Sequence, residues 1–148
     1  MVDFSQNFVS DLPTVADCRE CQLPTFSEGR GNLTALEAGI HCPFPIRRLF
    51  YLHGVPAGKH RAGHSLRSCN QMIVMLTGSM AVRLYDGNEW RNVVLDSPER
   101  GLLLPPMVWR ELSDFSENAI CLVVADEHYD EAAYVRNLSE FTVLRANG

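Results

Sequence analysis

From Gly31 onward the chain is a succession of short apolar runs separated by turn residues. The runs are Arg48 to Leu52, Gln71 to Leu76, Met80 to Tyr85, Asn92 to Leu95, Gly101 to Leu104 and Ala119 to Ala125. Their short lengths and β-branched content predict strands rather than helices. The joints carry turn chemistry. Thr77-Gly78 closes one run, and Asp86-Gly87 closes the next as a hairpin turn in which glycine accepts a positive φ. Pro105-Pro106 ends the run before it, because proline cannot donate to a central ladder. Strand-length runs at regular spacing predict an all-β sandwich or barrel. One segment reads differently: Asp130 to Arg136 begins with acids and ends with a base, as a helix dipole favours, and predicts a short C-terminal helix. Residues 1–25 carry little periodicity and are interrupted by Pro13 and Pro24, so they read as an N-terminal extension or arm to a domain spanning 26–148.

Composition narrows the class. A chain of 148 residues with 46% hydrophobic and 21% charged positions fits one globular domain with a single core. No run approaches the roughly 18 apolar residues of a membrane span. The N-terminus has no basic region ahead of a long apolar stretch, and Asp3 and Asp11 interrupt it, so a cytoplasmic protein is expected. The net charge of −5 argues against nucleic acid as a partner, whereas a few arginines suffice to hold a small anion. Five cysteines, an odd number, are expected as free thiols. Cys69 and Cys121 lie in or beside apolar runs and read as core residues. Cys18 and Cys21 form a lone CxxC; zinc would need His41 or Cys42 as well, and surface thiols are the expectation.

Candidate chemistry gathers between the first and second runs. His60 and His64 lie in the polar stretch Gly58 to His64, which in a barrel lies near the mouth, where ligands bind. A histidine there is suited to general-base work near neutral pH. Arg47, Arg48, Arg61, Arg67 and Arg110 belong to the same strands or their ends, and guanidinium groups match phosphate oxygens bidentately. Trp109 and Tyr51 are placed either to stack on a base or sugar or to fill the core. Neither a glycine-rich strand-to-helix fingerprint nor a GxSxG element is present, which argues against the common α/β enzymes.

An ordered series of motifs gives a closer match. It runs through Arg30-Gly31-Asn32-Leu33, Pro45 to Tyr51, Arg61, Gly63-His64, Leu76-Thr77-Gly78-Ser79, Asp86-Gly87 and Leu95-Asp96-Ser97-Pro98. It continues through Gly101 to Glu111, Asp114-Phe115-Ser116 and the tail Tyr129-Asp130-Glu131 with Tyr134 and Arg136. Over this stretch the chain resembles the WxcM-like, FdtA-type cupin family of sugar 3,4-ketoisomerases, which act on thymidine diphosphate (dTDP)-linked 4-keto-6-deoxyglucose. The resemblance implies a cupin jelly-roll β-barrel, a homodimer with an exchanged N-terminal strand, and movement of a ketone from C4 to C3 through an enediol with no redox cofactor. By position it implies His64 as base and Tyr51 and Arg48 in the pocket. Arg30 and Arg110 would lie near the sugar, and the arginines, Arg61 among them, are candidates for the diphosphate.

Two departures follow from the same alignment of motifs. Metal-binding cupins carry an HxH pair, a following Glu and a later His. Here those positions read His64-Ser65-Leu66, Asn70-Gln71 and Pro105 to Arg110, so no catalytic metal is expected. The second family histidine is Leu66, which cannot carry a proton. Either His64 performs both transfers, aided by Tyr51 or water, or His60 takes over, or the barrel binds a sugar nucleotide without isomerising it.

Overall fold

The computed structural model describes residues 12–148. Twelve strands follow in order. They are β1 (Glu20–Gln22), β2 (Thr25–Ser27), β3 (Asn32–Thr34), β4 (Arg48–His53), β5 (Arg61–Leu66), β6 (Gln71–Thr77), β7 (Met80–Tyr85), β8 (Trp90–Leu95), β9 (Arg100–Leu104), β10 (Trp109–Ser113), β11 (Ile120–Ala125) and β12 (Tyr134–Val135). One helix, α1 (Leu138–Asn147), ends the chain. Two five-stranded antiparallel sheets, ordered β1-β9-β6-β11-β4 and β12-β5-β10-β7-β8, form the jelly roll, and β2 and β3 make a separate hairpin. The core lies between the sheets and includes Ile73, Met75, Val82, Leu84, Leu102, Leu104, Leu112, Cys121 and Val123. Along β7 the alternation is direct: Met80, Val82 and Leu84 are buried while Arg83 is exposed, as a pleated strand with one face on the core requires.

Several segments differ from the sequence reading. The stretch around His64 forms β5, a strand hidden by its glycine and charged residues. The expected helix over 130–136 is instead a 3-10 turn, Glu131–Ala133, followed by β12. Asp130 accepts from Ala132 N–H and starts that turn, and Arg136 pairs with Glu131 at 2.7 Å, so the charges close a local loop rather than line a dipole. The helix begins one segment later, where Asn137 caps it by accepting from Glu140 N–H at 3.0 Å.

The described part of the N-terminal segment packs as part of the barrel. Val15 and Cys18 are buried in the main core, Leu23 is buried, and β1 pairs with the chain's own β9. Asp86 explains the anchorage: its carboxylate accepts from Val15 N–H at 3.0 Å as well as from Asn88 and Glu89 in its own turn. Arg91 adds bonds to the carbonyls of Val15 and Cys18 at 2.9 and 2.7 Å. Cys18 is therefore a core thiol, pushed up to about 11 by burial, and not a surface one. Residues 1–11 of the expected arm lie outside the described residues.

Candidate active site

A cavity of about 310 Å³ opens between the two sheets. Its apolar wall is Phe50, Leu52, Ile73, Leu112 and Val123; its polar groups come from His60, Arg61, His64, Gln71, Arg110, Tyr134 and Arg136. The inner faces of β5, β10 and β12 bring most of these together. A bulge makes the key alignment. Arg110 of β10 lies opposite His64 of β5, and Glu111 opposite Ala62, so Gly63 is the extra residue. Ala62 and Gly63 both take positive φ, 65° and 73°. Bulges of this kind re-aim a side chain, and here the outcome is an imidazole directly across from a guanidinium.

Arg110 is buried, at 1% exposure. It donates to Gln71 Oε1 at 3.0 Å and to the carbonyls of Val108 and Pro105 at 3.0 and 3.4 Å, all neutral partners, and its Nε has none. Burial lowers its pKa to about 10, which still leaves it cationic at neutral pH. A buried cation with no anionic partner is costly unless a ligand supplies the charge. Among the described residues His64 Nδ1 and Gln71 Nε2 are likewise buried without partners. Burial first, and then the charges of Arg110 and Arg136, push the His64 pKa down to about 3, so the free imidazole is neutral. Neutral imidazole, unpaired guanidinium and free amide together suit a polar, anionic substrate that gives up a proton.

The remaining residues singled out from sequence divide. Arg61 and His60 line the cavity. Arg48 sits on β4 beside it and donates through Nη2 to the Tyr134 hydroxyl at 3.3 Å. Tyr51 does not enter the cavity: on β4 it alternates outward with Leu49 and His53 and is 58% exposed, while Phe50 and Leu52 take the inner face. Trp109, next to Arg110, points to the opposite face, where it packs with Val135 and Phe141 beneath α1 and donates to Glu111 at 2.8 Å. Arg30 is on the β2–β3 hairpin, its side chain 85% exposed and paired with Glu28. Among the described residues no group of three or more His, Cys, Asp or Glu is placed to hold a metal ion.

Tyr134 and Arg136 reach the cavity from a segment that reads as helix in the sequence. The signal for them was their place in the family tail; their role depends on pairing with β5. Leu66 is 1% exposed and packs with Cys69 and Ala125, with Tyr134 laid against it.

Comparison with known proteins agrees with this architecture. The FdtA family model, described as WxcM-like, C-terminal, matches residues 16–146. A TDP-4-oxo-6-deoxy-α-D-glucose-3,4-oxoisomerase from Aneurinibacillus thermoaerophilus is 38% identical over 114 residues, 77% of this chain and 82% of that protein. The crystal structure of QdtA, a sugar 3,4-ketoisomerase from Thermoanaerobacterium thermosaccharolyticum in complex with TDP, superposes with a TM-score of 0.87 at 32% identity, covering 90% of this chain and 97% of that one. The WlaRB TDP-quinovose 3,4-ketoisomerase from Campylobacter jejuni does so with a TM-score of 0.84 at 34% identity, covering 87% and 99%. With the family model matched over nearly the whole described length and the barrel shared with solved 3,4-ketoisomerases, the chain belongs to the FdtA family of WxcM-like proteins.

Proposed function

We propose that this protein is an isomerase that moves the ketone of a dTDP-linked 4-keto-6-deoxyhexose from C4 to C3. The observation that carries the reading is the neutral His64 facing Arg110, which has no counter-charge among the described residues, inside the cavity between the sheets. In this scheme His64 takes the C3 proton. The C–H electron pair becomes the C3–C4 double bond, and charge moves to the C4 oxygen, within reach of guanidinium donors. Transfer of the C3 hydroxyl proton to O4 and return of the carbon-bound proton to C4 complete the 3-ketone. Hydrogen is only shifted within the sugar, so no redox cofactor is required. The same reading makes the protein a step in deoxy- or amino-sugar synthesis, because a C3 ketone is the carbonyl that amination at C3 consumes.

We infer a homodimer from the open edge of β4. It carries exposed Leu49 and Tyr51, and Phe26 and Leu33 are exposed on the β2–β3 hairpin. A cytoplasmic setting is supported by five free cysteines. Among the described residues no helix is long and apolar enough to cross a membrane.

The test is proton NMR of the protein with dTDP-4-keto-6-deoxyglucose in deuterium oxide. Deuterium at C3 or C4 together with 3-keto product is the expected result, abolished in His64→Asn with nucleotide binding retained. Thermal stabilisation by dTDP with neither exchange nor product would instead establish the second reading, a sugar-nucleotide-binding barrel without isomerase activity, which the Leu66 substitution motivates.

A further inference from the structure

If the family's second histidine is absent, a different group must move the oxygen-bound proton, and the geometry points to Tyr134. Strand β12 pairs with β5 so that Tyr134 lies directly opposite Leu66. Paired residues of an antiparallel ladder share a face, and Leu66 shares the face of His64 two positions earlier. Leu66 itself does not reach the cavity. It is sealed beneath the Tyr134 ring, and Tyr134 lines the cavity in its place. The tyrosine ring meets His64 edge-on with centroids 4.9 Å apart. Two cations attend it: Arg48 donates to the hydroxyl at 3.3 Å, and the Arg136 guanidinium lies 4.4 Å from the ring centroid. Because Arg48 donates to the hydroxyl oxygen, the hydroxyl's own hydrogen stays free for another acceptor.

We propose that Tyr134 is a catalytic residue that relays the hydroxyl proton between the two sugar oxygens while His64 handles the carbon-bound proton. This rests on the isomerase reading above. After His64 has taken the C3 proton, the enediolate carries its charge on O4. Tyr134 gives its proton to O4 and takes the O3 proton in return, so the tyrosine ends unchanged and the charge now lies on O3. Collapse of O3 to the ketone drives the C3–C4 electron pair to C4, which takes the proton back from His64. One imidazole and one phenol thus suffice, and the missing histidine leaves no vacancy in the reaction. His60 also lines the cavity, but it is exposed at the mouth, and none of the hydrogen bonds found among the described side chains fixes it.

Tyr134→Phe tests this, because it keeps the ring against His64 and Leu66 and removes only the hydroxyl. Wild type, Tyr134→Phe and His64→Asn are compared in deuterium oxide for C3 exchange, 3-keto product and thermal stabilisation by dTDP. The expected result for Tyr134→Phe is a product rate lower by at least about 100-fold, with exchange at C3 falling much less and dTDP stabilisation unchanged. The enediolate then forms but returns to substrate. Product formation within about threefold of wild type, or exchange and product falling in equal proportion, overturns the relay and makes the tyrosine a packing residue. A wild-type protein that forms no product overturns the isomerase reading and the relay with it, so the two failures are distinct.

Discussion

At the scale of single residues the site is governed by two buried polar groups set against each other. Among the described residues Arg110 has no counter-charge, and His64 is held neutral by burial and by Arg110 and Arg136. An imidazole at about 3 is a weak base in the empty protein. A diphosphate entering the cavity brings negative charge that offsets the two arginines and so raises its basicity when substrate is bound. The sign for the free protein is definite. The folded His64 pKa lies below the ordinary 6.5, so between those values the unfolded chain binds a proton that the folded one refuses. Stability is therefore lost as pH falls from 6.5 toward 3, and His64 contributes no pH dependence above that window. Because kcat/KM reports the free enzyme, its profile is expected to be flat between about pH 5 and 8, without a histidine limb. An acid limb centred near 6.5 in the wild type would contradict the burial of His64 in the field of Arg110.

Elements hold these residues in place through turns and bulges. The β5 bulge at Gly63 sets His64 against Arg110. The turn after β7 does a second task beyond reversing the chain. Asp86 accepts three backbone N–H bonds there, and one of them belongs to Val15 at the far end of the sequence. Burial alone would raise the Asp86 pKa, but the N–H bonds from Glu89, Val15 and Asn88 outweigh it and hold the carboxylate below its usual range. Its charge-linked stabilisation is present above the ordinary carboxylate pKa and lost as pH falls through the depressed one. Asp86→Ala is expected to cost about 2–3 kcal/mol in urea unfolding, with proteolysis faster around residues 12–18. A variant as stable as wild type would show that the N-terminal segment is anchored by core packing alone.

The whole molecule presents an unfinished edge. Strand β4 ends its sheet with apolar residues outward, at 55% exposure for Leu49 and 58% for Tyr51. A strand edge of this composition is a template for pairing. The protein is expected to sediment at twice the chain mass at micromolar concentration, and Leu49→Glu to shift it toward monomer. A monomeric wild type would remove the dimer from the account. Tyr51, outside the cavity of its own chain, would then have no contact with a site at all.

What the sequence could determine was local. The runs that became β4, β6, β7, β8, β9 and β11 were legible because alternation and turn chemistry are written within a few residues of each other. The family was legible because its motifs keep their order. β5 and β10 were not, since a bulged strand carrying Gly63, or one starting beside Arg110, lacks a clean period. The site was legible in part: His64 and Arg110 lie in the cavity, whereas Tyr51, Trp109 and Arg30 do not. Trp109 and Arg110 show why. Neighbours on a strand face opposite sides, so one is buried beneath α1 and the other inside the barrel. Only the pairing of strands distant in the chain decides which side is which. The same pairing puts Tyr134 over Leu66, a relation between β12 and β5 that no local pattern contains. The sequence by itself determined the kind of barrel and the chemistry available to it; the register between its strands decided which of those groups meet.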